Sequence, residues 1–147
     1  MSAVTLLLAL AVLAPVSLAK STFGFGDALS AATAHYNQIS KESKAFKPPQ
    51  KSPLLGMSMF IPGDGSSTEY TIRFTLKETL CPKSVDYKKE ECAYKENGAL
   101  LKCSSIVTVA KQRPGEADTV AVTCVEVTDP AERKKLEATP DFWSLFG

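Results

Sequence analysis

An α+β domain, with one N-terminal helix packed on a four- to five-stranded antiparallel sheet and held by two disulfides, is the fold class this sequence predicts. Three observations predict it. Helical periodicity is confined to one stretch near the N-terminus, strand-type alternation recurs through the remainder, and four cysteines (Cys81, Cys92, Cys103 and Cys124) follow an apolar leader.

The leader fixes the compartment in which the cysteines are read. No side chain before Lys20 is charged, an apolar run fills Leu6 to Ala14, and the small residues Ser17 and Ala19 stand at the minus-three and minus-one positions of a signal-peptidase site. Residues 1–19 are therefore expected to be a secretory signal peptide, the apolar run being shorter than the roughly 20 residues of a spanning helix. Lys20 to Gly147 then holds one domain with one core.

The helix is expected from about Asp27 to Ser40. Asp27 has the chemistry of an N-cap, and Leu29, Ala32, Tyr36 and Ile39 recur on one face. The single histidine, His35, lies beside that stripe with no acid or nucleophile identifiable near it, which makes it a residue at the rim of a packed face. From Lys44 to Pro53 the prolines at 48, 49 and 53 predict a connector. Leu54 to Ile61 reads as a strand, Pro62 to Ser67 as a loop, and Thr68 to Leu80 as the clearest strand, with Tyr70, Ile72, Phe74 and Leu76 alternating with Thr71, Arg73, Thr75 and Lys77.

The last two strands carry the sulfur argument. Leu101–Ala110 and Asp118–Val127 alternate around a turn marked by Pro114-Gly115. Facing residues of an antiparallel hairpin have numbers of constant sum, and a turn centred between Arg113 and Pro114 sets Cys103 opposite Cys124, Val107 opposite Val120 and Ser105 opposite Val122. A bulge would move this register by one. Four cysteines allow three connectivities in an oxidising compartment, and this register selects Cys103 with Cys124, leaving Cys81 to bridge Cys92 across ten residues. Zinc is disfavoured by the absence of any close cysteine pair and by the distance of His35 in sequence.

Composition excludes several function classes. Seventeen basic residues nearly balance sixteen acidic ones, so no global field favours nucleic acid or an anionic membrane. No nucleophile elbow, phosphate loop, dinucleotide fingerprint or H-E-x-x-H string occurs, so neither catalytic residues nor a cofactor is expected. A monomer is expected, with any partner recognised locally.

The string Phe74-Thr-Leu-Lys-Glu-Thr-Leu-Cys-Pro82, then Cys92-Ala-Tyr-Lys-Glu-Asn-Gly98, Cys103, and Val120-Ala-Val-Thr-Cys124 resembles the cathelin-like proregion of the cathelicidin family. Tyr36-Asn37-Gln38 in the helix agrees. The resemblance covers about Asp27 to Cys124. It implies a cystatin-like fold, disulfides joining first to second and third to fourth cysteine, and a non-enzymatic role in innate host defence. The expected division is a signal peptide at 1–19, a cathelin-like domain at 20–124 and a tail at 125–147, with processing after Val125 or Val127, secretion, and storage in secretory granules.

The tail departs from the family pattern. Cathelicidins usually release a cationic membrane-disrupting peptide, whereas here Arg133, Lys134 and Lys135 are outnumbered by Glu126, Asp129, Glu132, Glu137 and Asp141. Strong direct membrane binding is not expected of it. Its end concentrates Phe142, Trp143, Leu145 and Phe146, side chains that either cover the domain's own surface or bind a partner, as in the aromatic C-terminal signalling peptide of chemerin, a relative of the same fold class. A third reading, cysteine-protease inhibition, follows from the cystatin-like fold. Gly24 and Gly26 match its N-terminal wedge element, but Gln38, Gln50 and Gln112 do not begin its Q-x-V-x-G loop, and Arg113-Pro114-Gly115 lacks its hairpin tryptophan.

Overall fold

The computed structural model describes residues 22–50, 54–86, 88 and 91–138. The elements in chain order are α1 (Phe25–Ile39), β1 (Lys44–Lys47), β2 (Leu54–Phe60), β3 (Ser67–Pro82), β4 (Leu100–Ala110), β5 (Thr119–Glu126) and α2 (Pro130–Glu137). All strand pairs are antiparallel. Central to the sheet is β3, whose sixteen residues pair with β4 along one side. Along the other side they pair with β2 over Glu69–Phe74 and with β1 over Lys77–Pro82. The expected α+β class, with one helix on a five-stranded sheet, is what the chain adopts.

One face of the sheet makes the core. Tyr70, Ile72, Phe74 and Leu76 of β3 and Leu101, Cys103, Val107 and Val109 of β4 pack with Ala28 and Ala32 of α1. The small alanines let the helix approach the sheet, and Leu29 and Tyr36 flank the contact. The apolar stripe is shorter than its periodicity predicts: Ile39, expected on the packed face, is 54% exposed. It is the last residue of the helix and takes no part in the core cluster. His35 is half-buried on the same helix, the rim position expected of it.

The helix start is also corrected. Gly24 is the N-cap, and Asp27 stands three residues on, its Oδ2 accepting the Gly24 N–H at 2.9 Å. Asp27 thus acts in the first turn, where its charge complements the helix dipole and satisfies the capping residue's own donor.

The connector expected from Lys44 contains a strand. Prolines restrict their own backbone and that of the residue before, so Pro48 and Pro49 end β1 without preventing it. What drives the strand is Phe46, 1% exposed, with its ring in an edge contact with Tyr36 at 5.6 Å. On its open side, the Asn37 side chain accepts from the Phe46 N–H at 2.8 Å and donates to the Phe46 carbonyl at 2.9 Å. A side-chain amide thereby satisfies an edge-strand residue as a neighbouring backbone would. Asn37→Ala orphans both groups and is expected to cost about 2–3 kcal/mol, read as a lower urea midpoint. Asn37→Asp keeps the acceptor but sets a carboxylate oxygen against the Phe46 carbonyl, so it is expected to cost at least as much.

The β4–β5 register is the one expected: Cys103 pairs with Cys124, Ser105 with Val122 and Val107 with Val120. Cys103 and Cys124 form one disulfide with their Cα atoms 4.1 Å apart, and Cys81 and Cys92 form the other at 5.6 Å. The second staple belongs to a wider closure of the β3–β4 connection. Glu78 exchanges backbone bonds with Lys95 and Ala99, and its Oε1 accepts the Ala99 N–H at 2.9 Å. The turn needs Asn97 at φ 57 and Gly98, where an added Cβ would stand 3.0 Å from the Lys95 carbonyl and 3.1 Å from the Glu78 Cβ. A side chain at 98 would push the turn off β3.

A second element was not expected either. Helix α2 is short, polar and without a buried residue, so it offers no apolar stripe to periodicity. Its signals were local: Asp129 caps the Ala131 N–H at 3.0 Å and Pro130 opens the first turn.

Candidate functional site

Two regions bear the residues from which function can be argued, one at each end of the sheet. The first lies where α1 begins, the β2–β3 loop turns and the β4–β5 loop turns. Residues Thr22 and Phe23, Ile61 and Gly65, and Lys111 and Pro114 from these three segments line one cleft of about 380 Å³ with Tyr70 at its floor. Local chemistry fixes each wall. Phe23 and Phe25 pack on the Tyr70 ring at 5.2 and 5.3 Å, and the Tyr70 hydroxyl donates to the Phe23 carbonyl at 2.9 Å. That fastens the N-terminal segment to the sheet. In the β2–β3 loop, Gly65 takes a left-handed φ of +67 and Asp64 Oδ1 accepts from both the Ser66 amide and its hydroxyl. These bonds hold the Asp64 carboxyl below its ordinary value of 3.8. The sign follows: the turn's preference for the folded state is present above that ordinary value and is lost as the pH falls through the lower folded one. The Lys111 N–H donates to the Ser66 carbonyl at 2.9 Å, tying the two loops together.

Gly24, singled out as a wedge element, sits at the edge of this region but is committed to the α1 cap, and Gly26 lies exposed in the first turn. The loop tips are Gly63-Asp64-Gly65 and Arg113-Pro114-Gly115. Arg113 turns back to pair with Asp118 at 3.3 Å. The convergence of three distant segments was not readable from sequence, because nothing local announces which loop meets which.

The second region is the exit of the tail at the opposite end. Val125 lies in β5, pairs with Lys102 and is 59% exposed, while Val127 is buried at 6% with its N–H donating to the Leu100 carbonyl at 2.8 Å. Ordered, core-like structure thus runs past Cys124. Helix α2 then lies against the face of the sheet opposite α1. Lys102 pairs with Glu132 at 2.7 Å, Lys77 with Glu137 at 3.7 Å, and the Arg133 guanidinium donates to the Gly98 carbonyl at 2.7 Å. Phe142, Trp143, Leu145 and Phe146, the candidate partner-binding residues, lie outside the described residues, as do residues 1–19. Among the described residues no helix is long and apolar enough to cross a membrane.

Comparison with known proteins bears on this arrangement directly. The family described as Cathelicidins matches residues 22–129, from the segment fastened to Tyr70 to the cap of α2. The chain is 27% identical over 120 residues to "Cathelicidin antimicrobial peptide" of Hylobates moloch, covering 81% of this chain and 65% of that one. It is 33% identical over 107 residues to "Cathelicidin-2" of Gallus gallus, covering 73% and 66%, and 30% identical over 113 residues to "Lachesicidin" of Lachesis muta rhombeata, covering 77% and 54%. It therefore spans slightly over half to about two thirds of the length of these relatives. A match across most of the chain, joined to the helix, the five-stranded sheet and both cysteine pairs, places it: the chain belongs to the cathelicidin family.

Proposed function

We propose that the protein is a secreted, non-enzymatic host-defence precursor in which a stapled cathelin-like domain carries a C-terminal segment for release. The observation that carries this reading is the family match over residues 22–129, which runs through the domain and stops at Asp129, where α2 begins. The leader at 1–19 supports secretion, with granule storage as part of the same reading. A tail from Val125 onward holds three basic residues against five acidic ones, so the released segment is not a cationic membrane peptide. Its Phe142, Trp143, Leu145 and Phe146 favour a protein or receptor partner instead. The domain acts without cofactor, as a monomer and without nucleic acid.

Processing after Val125 or Val127 requires β5 to open first, because a protease takes extended, unpaired backbone and both valines are engaged. Mass spectrometry of the naturally secreted material tests the proposal. Two products are expected, one ending at Val125 or Val127 and one beginning at Glu126 or Thr128; recovery of the uncut chain alone would contradict it. The same tail, made as a peptide, is expected to leave vesicles containing anionic lipid intact.

Cysteine-protease inhibition is the second reading, favoured by the meeting of the N-terminal segment and two hairpin loops at one cleft. Tight inhibition depends on a few buried anchors, often aromatic, and neither loop tip supplies one. The chain is expected to leave a papain-like protease uninhibited at micromolar concentration. Inhibition at or below that level would restore the reading.

A further inference from the structure

The face of the sheet turned away from α1 carries a cluster of cations that the precursor reading does not use. Antiparallel register sets it in three cross-strand rows: Lys47, Lys77 and Leu100; Thr75, Lys102 and Val125; Arg73, Ser104 and Thr123. Arg73 and Lys77 stand four residues apart on β3, about 13 Å, and Lys102 lies between them one strand over, at about 4.8 Å. Lys47 and Lys77 share the Tyr94 ring, their ammonium groups 4.5 and 5.2 Å from its centre. Like charges directly opposite in a ladder repel, and no carboxylate of the strands relieves them. Among the outward positions of the five strands the single acid is Glu69, four residues beyond Arg73.

Helix α2 supplies the acids that the strands lack. Glu132 pairs with Lys102 at 2.7 Å and Glu137 with Lys77 at 3.7 Å. The helix holds three bases to two acids, so the placement of its carboxylates, not its net charge, covers the lysines. Two cations stay outside this cover. Arg73 has neither ion pair nor hydrogen bond among the described residues, and Lys47 donates to the neutral Cys92 carbonyl. A cut after Val125 would remove five acids and three bases with the tail, raising the formal net charge from +1 to +3.

The neighbours of the cations decide which polyanion fits. Hydroxyls of Thr75, Ser104 and Thr123 stand in the same rows, and Thr71 is the next outward residue of β3 after Arg73. An anionic bilayer is held by a broad apolar face beside the charges, whereas within these rows Val125 is the one exposed apolar side chain. We infer that this face is a binding surface for a sulfated polysaccharide, whose anionic groups meet Lys47, Arg73, Lys77 and Lys102 and whose hydroxyls meet those of the rows. Helix α2 holds the surface closed by setting Glu132 and Glu137 on Lys102 and Lys77 where the ligand would lie, and its separation from the sheet opens it. Only the event that frees α2 rests on the precursor reading; the surface and its cover belong to the folded chain.

The test needs no cleavage and uses heparin as the probe. The full chain is compared with Glu132→Gln/Glu137→Gln, with that variant also carrying Lys77→Gln/Lys102→Gln, and with Glu42→Gln/Glu116→Gln. The last makes the same change in net charge at exposed sites in the α1–β1 and β4–β5 loops. Far-ultraviolet circular dichroism checks that each variant keeps the fold. Loss of the covering acids is expected to tighten heparin binding about tenfold at low salt, with the gain shrinking as salt rises. The loop variant is expected to gain about twofold at most, and loss of the two lysines to return binding to the parent's level or below. No gain, an equal gain in the loop variant, or a gain that survives loss of both lysines would overturn the inference. So would binding of the uncovered variant to vesicles of phosphatidylcholine and phosphatidylglycerol in equal parts as tightly as to heparin, which would make a lipid surface the ligand. Recovery of uncut natural material would count against the precursor reading and leave the heparin result standing, so the two fail separately.

Discussion

Replacing Cys103 and Cys124 together by alanine is expected to destabilise the domain by about 3–4 kcal/mol and to lower its thermal midpoint by about 10–15 °C. The bridge spans 21 residues of sequence and fixes the last hairpin. Most of its effect is the chain entropy it removes from the unfolded state. A smaller share is packing, because Cys103 is 3% exposed inside the core cluster and Cys124 lies at its margin. The Cys81–Cys92 bridge spans 11 residues, and its removal is expected to cost about 0.5 kcal/mol less on the same loop-length relation. Thermal unfolding of each double variant checks the order. A smaller loss from the 103–124 pair than from the 81–92 pair would contradict the chain-entropy account.

Phe74→Ala is expected to cost about 3–5 kcal/mol. Phe74 is fully buried in the central strand, between Leu54 of β2 and Cys103 of β4 in register. Removing its ring opens a cavity walled by backbone that three strands hold in place, which limits collapse. Because Phe74 and the 103–124 bridge are register neighbours, their losses should not add. The triple variant is expected to fall short of the summed losses by about 0.5 kcal/mol or more. Urea unfolding of the single, double and triple variants measures that difference, and strict additivity would show that the ring and the sulfurs do not share one packed unit.

Much of this architecture could be read from residues alone, and the reason is physical. In β3 the alternation of Tyr70, Ile72, Phe74 and Leu76 with polar neighbours reports a strand with a single apolar face, so period two shows. The β4–β5 register followed from one turn and a constant sum, since no bulge intervenes between Leu101 and Thr108. What escaped were features whose cause lies elsewhere in the chain. β1 has four residues and one large buried side chain, and its partners on β3 lie thirty or more residues on. Gly24 caps α1 without a side chain to announce it, which gave Asp27 a role one turn too early. Ile39 fits the helical stripe but ends the helix outside the core cluster, and α2 has no stripe to find. The cleft at Tyr70 joins the N-terminal segment and two loops through a register and a helix position that only the folded chain supplies.

The central claim is a domain locked by consecutive pairing of its cysteines, first to second and third to fourth, across a sheet wrapped on one helix. A non-reducing digest of the protein, with free thiols alkylated beforehand and the linked peptides identified by mass, tests it most directly. The account predicts no alkylated cysteine and two linked pairs, Cys81 with Cys92 and Cys103 with Cys124. Four alkylated thiols, or a peptide joining Cys92 to Cys103, would contradict it.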